Sequence, residues 1–169
     1  MMIESKTIFA ALSAACLVTS AAPAVAAGPA KYLDNRSTAV TLVRSLYNAV
    51  NRHEYLRAWG YFAEGAGQGS FETFAKGYET TKKVRVKLGK PIEEGAAGSI
   101  YTKLPVVIQA TDNNGRKTVF SGCYETRFVQ PANQATPPFT PLQIVEAKLE
   151  PATTPFKKTQ GNCPQGGLG

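Results

Sequence analysis

The sequence contains little of what catalytic and metal sites are usually built from. One of its 169 residues is histidine, three are cysteine, and only Asp34 and Asp112 are aspartate. It has no glycine-rich phosphate loop, no Cys-x-x-Cys pair and no EF-hand pattern. A lone histidine with distant cysteines makes a poor zinc set, and nothing nominates partners for a Ser-His-Asp or Cys-His unit. We therefore predict no catalytic residue, no metal and no cofactor.

The chain also lacks a second long apolar run; the one it has lies near the N-terminus. Residues 8–18 form an apolar core, preceded by Lys6 and followed by an Ala-x-Ala sequence. A membrane-spanning helix needs roughly 20 apolar residues, so this shorter core is typical of a signal peptide. We predict a signal peptide over residues 1–27, cut after Ala26 or Ala27. The mature protein is then expected to be periplasmic or secreted and to have no transmembrane segment.

Acidic residues are outnumbered, and the formal net charge is +7. Export makes nucleic acid an unexpected target for this charge. The basic residues are densest in one run, which is predicted to be a patch for an anionic envelope component or a protein. The alternative is a solvated strand face whose lysines deter edge-to-edge pairing. The run consists of Lys82, Lys83, Arg85, Lys87 and Lys90.

Two cysteines remain in the predicted mature chain. Cys16 lies inside the signal peptide and leaves with it, whereas Cys123 and Cys163 stay. An even pair in an oxidising compartment favours a disulfide, although two free thiols or a metal site are the alternatives. We predict a Cys123–Cys163 disulfide.

The first half of the mature chain has helical periodicity. Apolar residues at helical spacing predict helices from about residue 38 to 51, 55 to 62 and 71 to 78. In the second helix, Leu56 and Trp59 are expected to face inward.

From residue 81 the period changes from 3.6 to 2, which predicts strands. Gly122 is a candidate bulge or bend point in the third of them. In the last, Val145, Ala147 and Leu149 alternate toward one face. The predicted strands are 83–88, 101–110, 117–129 and 143–150, separated by loops at 89–98 and 131–141 and by a hairpin turn at 112–115.

Parity in the third strand separates its two faces. Aromatic residues at positions 120, 124 and 128 share one face, which is the better core face. Cys123, Glu125 and Arg127 share the other. Glu125 is therefore expected outside any pocket, near Arg127 and the disulfide.

Three helices followed by four strands indicate an α+β fold with helices against one face of an antiparallel sheet. We predict a lead-in over residues 28–36, a domain over 37–150 and an irregular tail over 151–169 that the disulfide pins.

Two segments resemble the nuclear transport factor 2-like (NTF2-like) superfamily, which includes SnoaL-type cyclases and ketosteroid isomerases. Residues 46–55 (LYNAVNRHEY) with 58–62 (AWGYF) resemble its first helix, polar break and second helix, and residues 71–78 (FETFAKGY) resemble its third helix. The resemblance implies a cone: a strongly curved four-stranded antiparallel sheet around three N-terminal helices, with a pocket between them. Some members bind or transform apolar small molecules there; others dimerise or bind proteins.

An aromatic set could line such a pocket, although its spacing is equally that of ordinary core. Tyr78, Tyr101 and Tyr124 are expected at the pocket edge, because a buried phenol needs a polar partner or water. The full candidate set is Tyr47, Trp59, Phe74, Tyr78, Tyr101 and Tyr124.

Isomerase-like members of the superfamily use a carboxylate base on a pocket strand. Asp34 precedes the first predicted helix and Asp112 lies in the hairpin turn, so the strand carboxylates reduce to Glu125 and Glu146. His53, the only histidine, lies at the predicted break between two helices and is interpreted as a solvent-exposed loop residue.

These expectations favour an exported, non-catalytic NTF2-like domain that binds a small apolar or amphipathic ligand or an envelope protein. One alternative is a SnoaL-like or isomerase-like enzyme acting on a small apolar substrate. Another is a structural accessory module that dimerises through its outer sheet face.

Overall fold

A computed structural model of the chain describes residue 28 and residues 30–165. The predicted signal peptide at 1–27 lies outside the described residues and stays a prediction. Residues 30–36 lead without helix or strand into the first helix.

The described residues form three helices, and side chains cap the first and the third at their N-termini. Helix α1 spans Ala39–Asn51, with Thr38 and Thr41 forming a reciprocal capping box. Helix α2 is short, Tyr55–Trp59, and helix α3 spans Phe71–Gly77, where the Ser70 hydroxyl accepts the Thr73 amide.

Helix α2 stops before Phe62, where the sequence predicts its end. The Ile144 amide donates to the Tyr61 carbonyl at 2.9 Å, and the Ala63 amide donates to the Ile144 carbonyl at 2.8 Å. These two hydrogen bonds pair the backbone after α2 with the sheet at Ile144, so the helix ends before residue 62. Leu56 is 67% exposed, so its predicted inward orientation is wrong, whereas Trp59 is partly buried against the core.

Within the described residues, the sheet has five antiparallel strands. They are β1 (Thr81–Leu88), β2 (Ile92–Ala96), β3 (Ser99–Asp112), β4 (Lys117–Val129) and β5 (Gln143–Ala152). The main path is β1-β3-β4-β5, and β2 pairs with the first part of β3. A 3₁₀ turn, Pro131–Asn133, lies in the predicted proline-rich loop.

The prediction of a loop over residues 89–98 is wrong, because this segment contains strand β2. The sheet therefore has one strand more than the four predicted. The five residues of β2 are all exposed, so no buried face imposes an alternating pattern on the sequence. The strand turns back through Ala97 and Gly98, both at positive φ.

The sheet is irregular at positions other than the predicted one, in β5 and, at Lys82, in β1. Pairing runs without a register shift through Gly122, whereas β5 shifts register opposite Glu125 and Thr126. The shift reverses parity, so Ile144 is fully buried and Val145 is not. A side chain at Gly122 would collide with the Lys148 carbonyl, which explains the glycine by close strand approach.

The core lies between α1 and the inner face of the sheet. Leu42, Leu46, Leu104 and Ile144 are completely buried there. The aromatic face of β4 is this inner face, as parity predicts: Tyr124 is 4% exposed and opposes Leu104. The predicted α+β fold with three helices on one face of an antiparallel sheet is confirmed.

The C-terminal tail is held against the sheet. Strand β5 continues to Ala152, and the remaining described residues contain neither helix nor strand. The Cys123–Cys163 disulfide is present, as predicted, with its Cα atoms 5.0 Å apart. The Phe156 ring is 9% exposed, and Gly161 packs so closely against the β3 backbone at Val106 that a side chain there would collide with it. The tail therefore covers part of the outer sheet face.

Candidate functional site

Five aromatic rings meet between the helices and the inner face of the sheet. The Phe74 ring centroid is 5.1 Å from that of Tyr78 and 5.8 Å from that of Phe62. Phe62 lies edge-on to Tyr124 at 6.5 Å, and Tyr124 is stacked on Tyr47 at 6.4 Å. These geometries are the ones aromatic pairs prefer, so the cluster packs as a continuous apolar surface.

A cleft of about 340 Å³ opens beside this surface. We call it the aromatic cleft. Its apolar lining is Phe62, Phe74, Tyr78, Tyr124, Ala147 and Leu149.

The polar side chains of Gln68 and Thr73 also border the aromatic cleft, and Gln68 has an unusual environment. The Gln68 Nε2 atom donates to the Ala63 carbonyl at 3.1 Å, which fixes the orientation of the amide. Its Oε1 atom is buried and has no hydrogen-bond partner among the described residues. Unpaired buried acceptors are uncommon because each costs about 1–3 kcal/mol. Gln68 thus carries an unpaired acceptor at the border of the cleft; because this atom is closed to solvent, a bound molecule reaches it only when the side chain shifts toward the cleft.

The phenols of this aromatic cluster are neutral hydrogen-bonding groups. The Tyr47 and Tyr124 hydroxyls are bonded to each other, and burial raises the pKa of both well above the ordinary value of 10.0. Burial also raises the pKa of Tyr78 to about 12. The Tyr78 hydroxyl makes no hydrogen bond within the described part of the chain. It can therefore donate to or accept from a ligand, but it cannot act as a base near neutral pH.

The carboxylates named as candidate bases lie away from the aromatic cleft. Asp34 accepts the Tyr61 hydroxyl at 2.7 Å, and Asp112 accepts the backbone amides of Asn114 and Arg116 in its hairpin. Glu125 and Glu146 oppose each other on the outer sheet face. None of these groups can reach a molecule in the cleft.

Four of the six predicted pocket residues come together in this aromatic cluster: Tyr47, Phe74, Tyr78 and Tyr124. Trp59 instead packs edge-on against Phe71 at 6.4 Å and donates to the Gly69 carbonyl at 3.3 Å. Trp59 is thus near the loop at residues 65–69, which we call the glycine loop, but it does not line the cleft.

Tyr101 lies on the wrong face of the sheet, so its predicted place at the pocket edge is incorrect. Even-numbered residues of β3, such as Thr102 and Leu104, face the core, and Tyr101 faces outward. Its ring pairs with the Arg127 guanidinium at 5.7 Å.

Gln68 and Leu149 both line the cleft, and neither was predicted from the sequence as a site residue. A weak signal was present for Gln68, because it is the one residue with a long polar side chain among Gly65, Gly67 and Gly69.

The tail contacts two of the five residues of the predicted basic run. The Lys87 Nζ atom donates to the Phe156 carbonyl at 3.1 Å and also to the Thr159 carbonyl, and the Arg85 guanidinium lies 4.8 Å from the Phe156 ring centroid. Lys82, Lys83 and Lys90 remain exposed. Lys87 and Arg85 therefore anchor the tail, and the role of the run as an anion patch stays a prediction.

His53 is exposed, as the sequence indicates, and its Nδ1 atom lies 2.8 Å from the Tyr55 hydroxyl. Within the described ranges, no three histidine, cysteine, aspartate or glutamate side chains are grouped to hold a metal. No helix in the same ranges is long and apolar enough to cross a bilayer.

No family model and no curated protein matches the chain. Among solved structures it is similar to "the beta subunit of a putative aromatic-ring-hydroxylating dioxygenase" from Novosphingobium aromaticivorans, with 12% identity and a TM-score of 0.46. The match covers 71% of this chain and 90% of that one. A likeness at this level carries no argument about activity, ligand or assembly. The described residues do have three helices and an antiparallel sheet, which is the layout that the resemblance to the NTF2-like superfamily implies.

Proposed function

We propose that this chain is an exported, non-catalytic binding protein whose aromatic cleft holds a small amphipathic molecule. The ligand has a flat apolar body and one hydrogen-bond donor, such as a hydroxyl group. The single observation that carries the proposal is the buried, unpaired Gln68 Oε1 atom beside the aromatic lining.

The energetics favour such a ligand over a purely apolar one. The aromatic rings offer dispersion and hydrophobic contact to a flat body. With the Gln68 side chain shifted toward the cleft, a donor on that body would satisfy its Oε1 atom and remove the cost of an unpaired buried acceptor, about 1–3 kcal/mol. The Tyr78 hydroxyl provides a second hydrogen-bonding group on the same lining.

Binding without chemistry is supported by the groups that border the cleft. The cleft lining contains phenols of raised pKa and a neutral amide, and the candidate carboxylates lie elsewhere. A proton-transfer enzyme would need a group that exchanges protons near the working pH.

Export is supported by the disulfide, because such bonds persist in oxidising compartments. Two measurements test this part. Chain recovered from a periplasmic or culture fraction should begin at Ala27 or Gly28, and it should have no titratable thiol when denatured without reductant. An intact N-terminus and two free thiols would contradict export.

The ligand proposal is tested with a matched pair of probes, 2-naphthol and 2-methoxynaphthalene, which share a flat body and differ in the donor. Titration followed by fluorescence should give tighter binding of 2-naphthol, by roughly 2–10-fold for one neutral hydrogen bond. Gln68→Leu should abolish this preference while keeping the binding of 2-methoxynaphthalene. Gln160→Leu makes the same chemical change on the exposed tail and should leave the preference intact.

Blocking the cleft gives an independent test. Leu149→Arg places a charged side chain in the lining and should abolish binding of both probes. Leu56→Arg, on an exposed position, should not affect either. Equal affinity of the two probes for the unaltered chain, or unchanged binding by Leu149→Arg, contradicts the proposal. Conversion of a bound molecule, detected by mass spectrometry, would favour the enzyme alternative.

A further inference from the structure

A second concavity, of about 740 Å³, lies where α1 ends and β1 begins. Its lining brings together cationic or imidazole side chains from two separate segments. These are Arg52 and His53 after α1, and Lys82 and Lys83 at the start of β1. We call this concavity the basic groove. It shares no residue with the aromatic cleft.

The two lysines line one groove because of an irregularity in the strand. Successive residues of a regular strand point to opposite faces of the sheet. The register between β1 and β3 shifts between Thr81 and Lys83, so Lys82 is an extra residue in the pairing. Such bulges redirect side chains, and this one lets consecutive lysines face the same space.

His53 occupies a backbone position where glycine is the usual residue. Its φ is 59°, its amide donates to the Val50 carbonyl at 3.0 Å, and the Glu54 amide donates to the Ala49 carbonyl at 2.9 Å. These two bonds form the Schellman motif, whose left-handed residue is most often glycine. A side chain kept at this unfavourable φ, with its ring held by the Tyr55 hydroxyl at 2.8 Å, points to a use for the imidazole.

The acidic groups around the basic groove are already paired. Glu54 contacts Arg52 and Arg57, each at 2.6 Å, and Asp112 contacts Arg116 at 3.1 Å. Neither the Lys82 nor the Lys83 ammonium has a hydrogen-bond or ion-pair partner within the described residues. The groove thus retains an excess of positive charge.

We propose that the basic groove binds a phosphoryl dianion, as a phosphomonoester carries. Lysine ammonium groups bind phosphate as point charges, and several can share the oxygens of one tetrahedral group. Arg52 contributes positive charge but no bidentate contact, because its Nε and Nη1 atoms already donate to Glu54 and to the Ala30 carbonyl. His53 offers its Nε2 atom from the opposite segment. This site goes beyond the proposed function and does not depend on it.

The test measures the binding of glycerol 3-phosphate and of inorganic phosphate to the purified chain, with acetate at equal ionic strength as the monoanion control. Saturable binding of both phosphates and none of acetate is expected. The paired variant Lys82→Gln/Lys83→Gln should weaken phosphate binding by at least about tenfold. Lys90→Gln belongs to the same basic run but lies outside the groove, and it should leave the affinity unchanged.

His53→Gly separates binding from folding. Glycine suits the left-handed position, so the melting temperature should stay the same or rise, while phosphate affinity falls severalfold. Unchanged affinity in His53→Gly overturns the site as proposed. Equal weakening by Lys90→Gln and by the groove variants also overturns it, because that result indicates attraction to net charge alone.

Vesicles distinguish the source of the phosphoryl group. Flotation with phosphatidic acid but not with phosphatidylcholine, lost in Lys82→Gln/Lys83→Gln, would assign it to a lipid headgroup; binding of glycerol 3-phosphate without flotation would assign it to a soluble phosphomonoester. The same variants must still bind 2-naphthol, so failure of this site and failure of the aromatic cleft are separable. Absence of phosphate binding to the unaltered chain overturns the proposal.

Discussion

The two faces of the sheet are held by different kinds of interaction. On the inner face, Leu104 and Ile144 are completely buried under the helices, and burial of apolar area supplies the stabilisation. On the outer face, the tail is held by a disulfide and by the Lys87 ammonium bonded to its carbonyls. The inner face needs only an alternating apolar pattern, whereas the outer face depends on particular residues. Four substitutions test this difference.

Replacing both cysteines should have the largest effect. The disulfide closes a loop of 40 residues, for which chain entropy gives a loss of about 4 kcal/mol in the free energy of unfolding. Urea denaturation of Cys123→Ala/Cys163→Ala measures it. Hydrogen exchange should show increased exposure of the tail, with the amides of α1 still protected under native conditions. A loss of less than about 1 kcal/mol would indicate that the tail is held mainly by its other contacts.

Shortening a side chain on the inner face should lower the free energy of unfolding by somewhat less. Leu104→Ala removes a fully buried side chain and should lower the free energy of unfolding by about 3 kcal/mol. The loss should be global, with α1 and β4 exchanging faster to the same extent. A matched truncation at the exposed Leu56 should change stability by less than about 0.5 kcal/mol. Similar losses from the two leucine variants would contradict the proposed inner core.

The inner phenols make stability depend on pH in the alkaline range. Because burial raises the pKa of Tyr78 from 10.0 to about 12, the folded chain favours the neutral phenol. Its contribution is complete below pH 10 and is lost as the pH rises from 10 to 12. Tyr78→Phe should therefore reduce the alkaline loss of stability by up to about 2 kcal/mol.

Tyr47 and Tyr124 have pKa shifts in the same direction, so Tyr78→Phe should retain part of the alkaline loss. Urea denaturation at pH 7, 10 and 12 provides the measurement. A variant whose stability falls as steeply as that of the unaltered chain between pH 10 and 12 would exclude Tyr78 as a contributor.

The smallest effect should come from the polar anchor of the tail. Lys87→Met keeps the aliphatic stem against Phe156 and removes the ammonium, for an expected loss of about 1.5 kcal/mol. Lys157→Met, on an exposed tail position, is the control. Protease cleavage within residues 153–165 should be faster in Lys87→Met only. Equal cleavage of both variants would show that the ammonium does not hold the tail.

The same contrast explains how much could be predicted from the sequence. The aromatic residues of β4 identified its inner face, because that strand carries Glu125 and Arg127 on the other side. Strand β3 is apolar on both faces: Val107 faces outward and is still 1% exposed. The tail that covers this strand follows it by about 50 residues. The alternation of residues in β3 alone therefore could not show on which face of the sheet Tyr101 lies.

Local irregularities were equally hard to predict. The bulge opposite Glu125 and Thr126 inserts a residue into β5 and buries Ile144 in place of Val145. Nothing in the alternation of β5 marks that position, because Val145 and Ile144 are both apolar. The unpaired oxygen of Gln68 results from packing of the glycine loop against α3 and the sheet, which has no local sequence pattern.

The position of the disulfide also determines how this chain would bear mechanical force. A pull applied beyond Cys163 passes through the sulfur atoms to Cys123 and bypasses residues 124–162, which lie between them. That segment includes the second half of β4 and the whole of β5. Stretched between its ends, the oxidised chain would be shorter than the reduced one by about 140 Å, at 3.3–3.6 Å per residue. The covalent loop thus acts as a built-in limit to extension, and β5 cannot be peeled from the sheet by traction on the C-terminal segment.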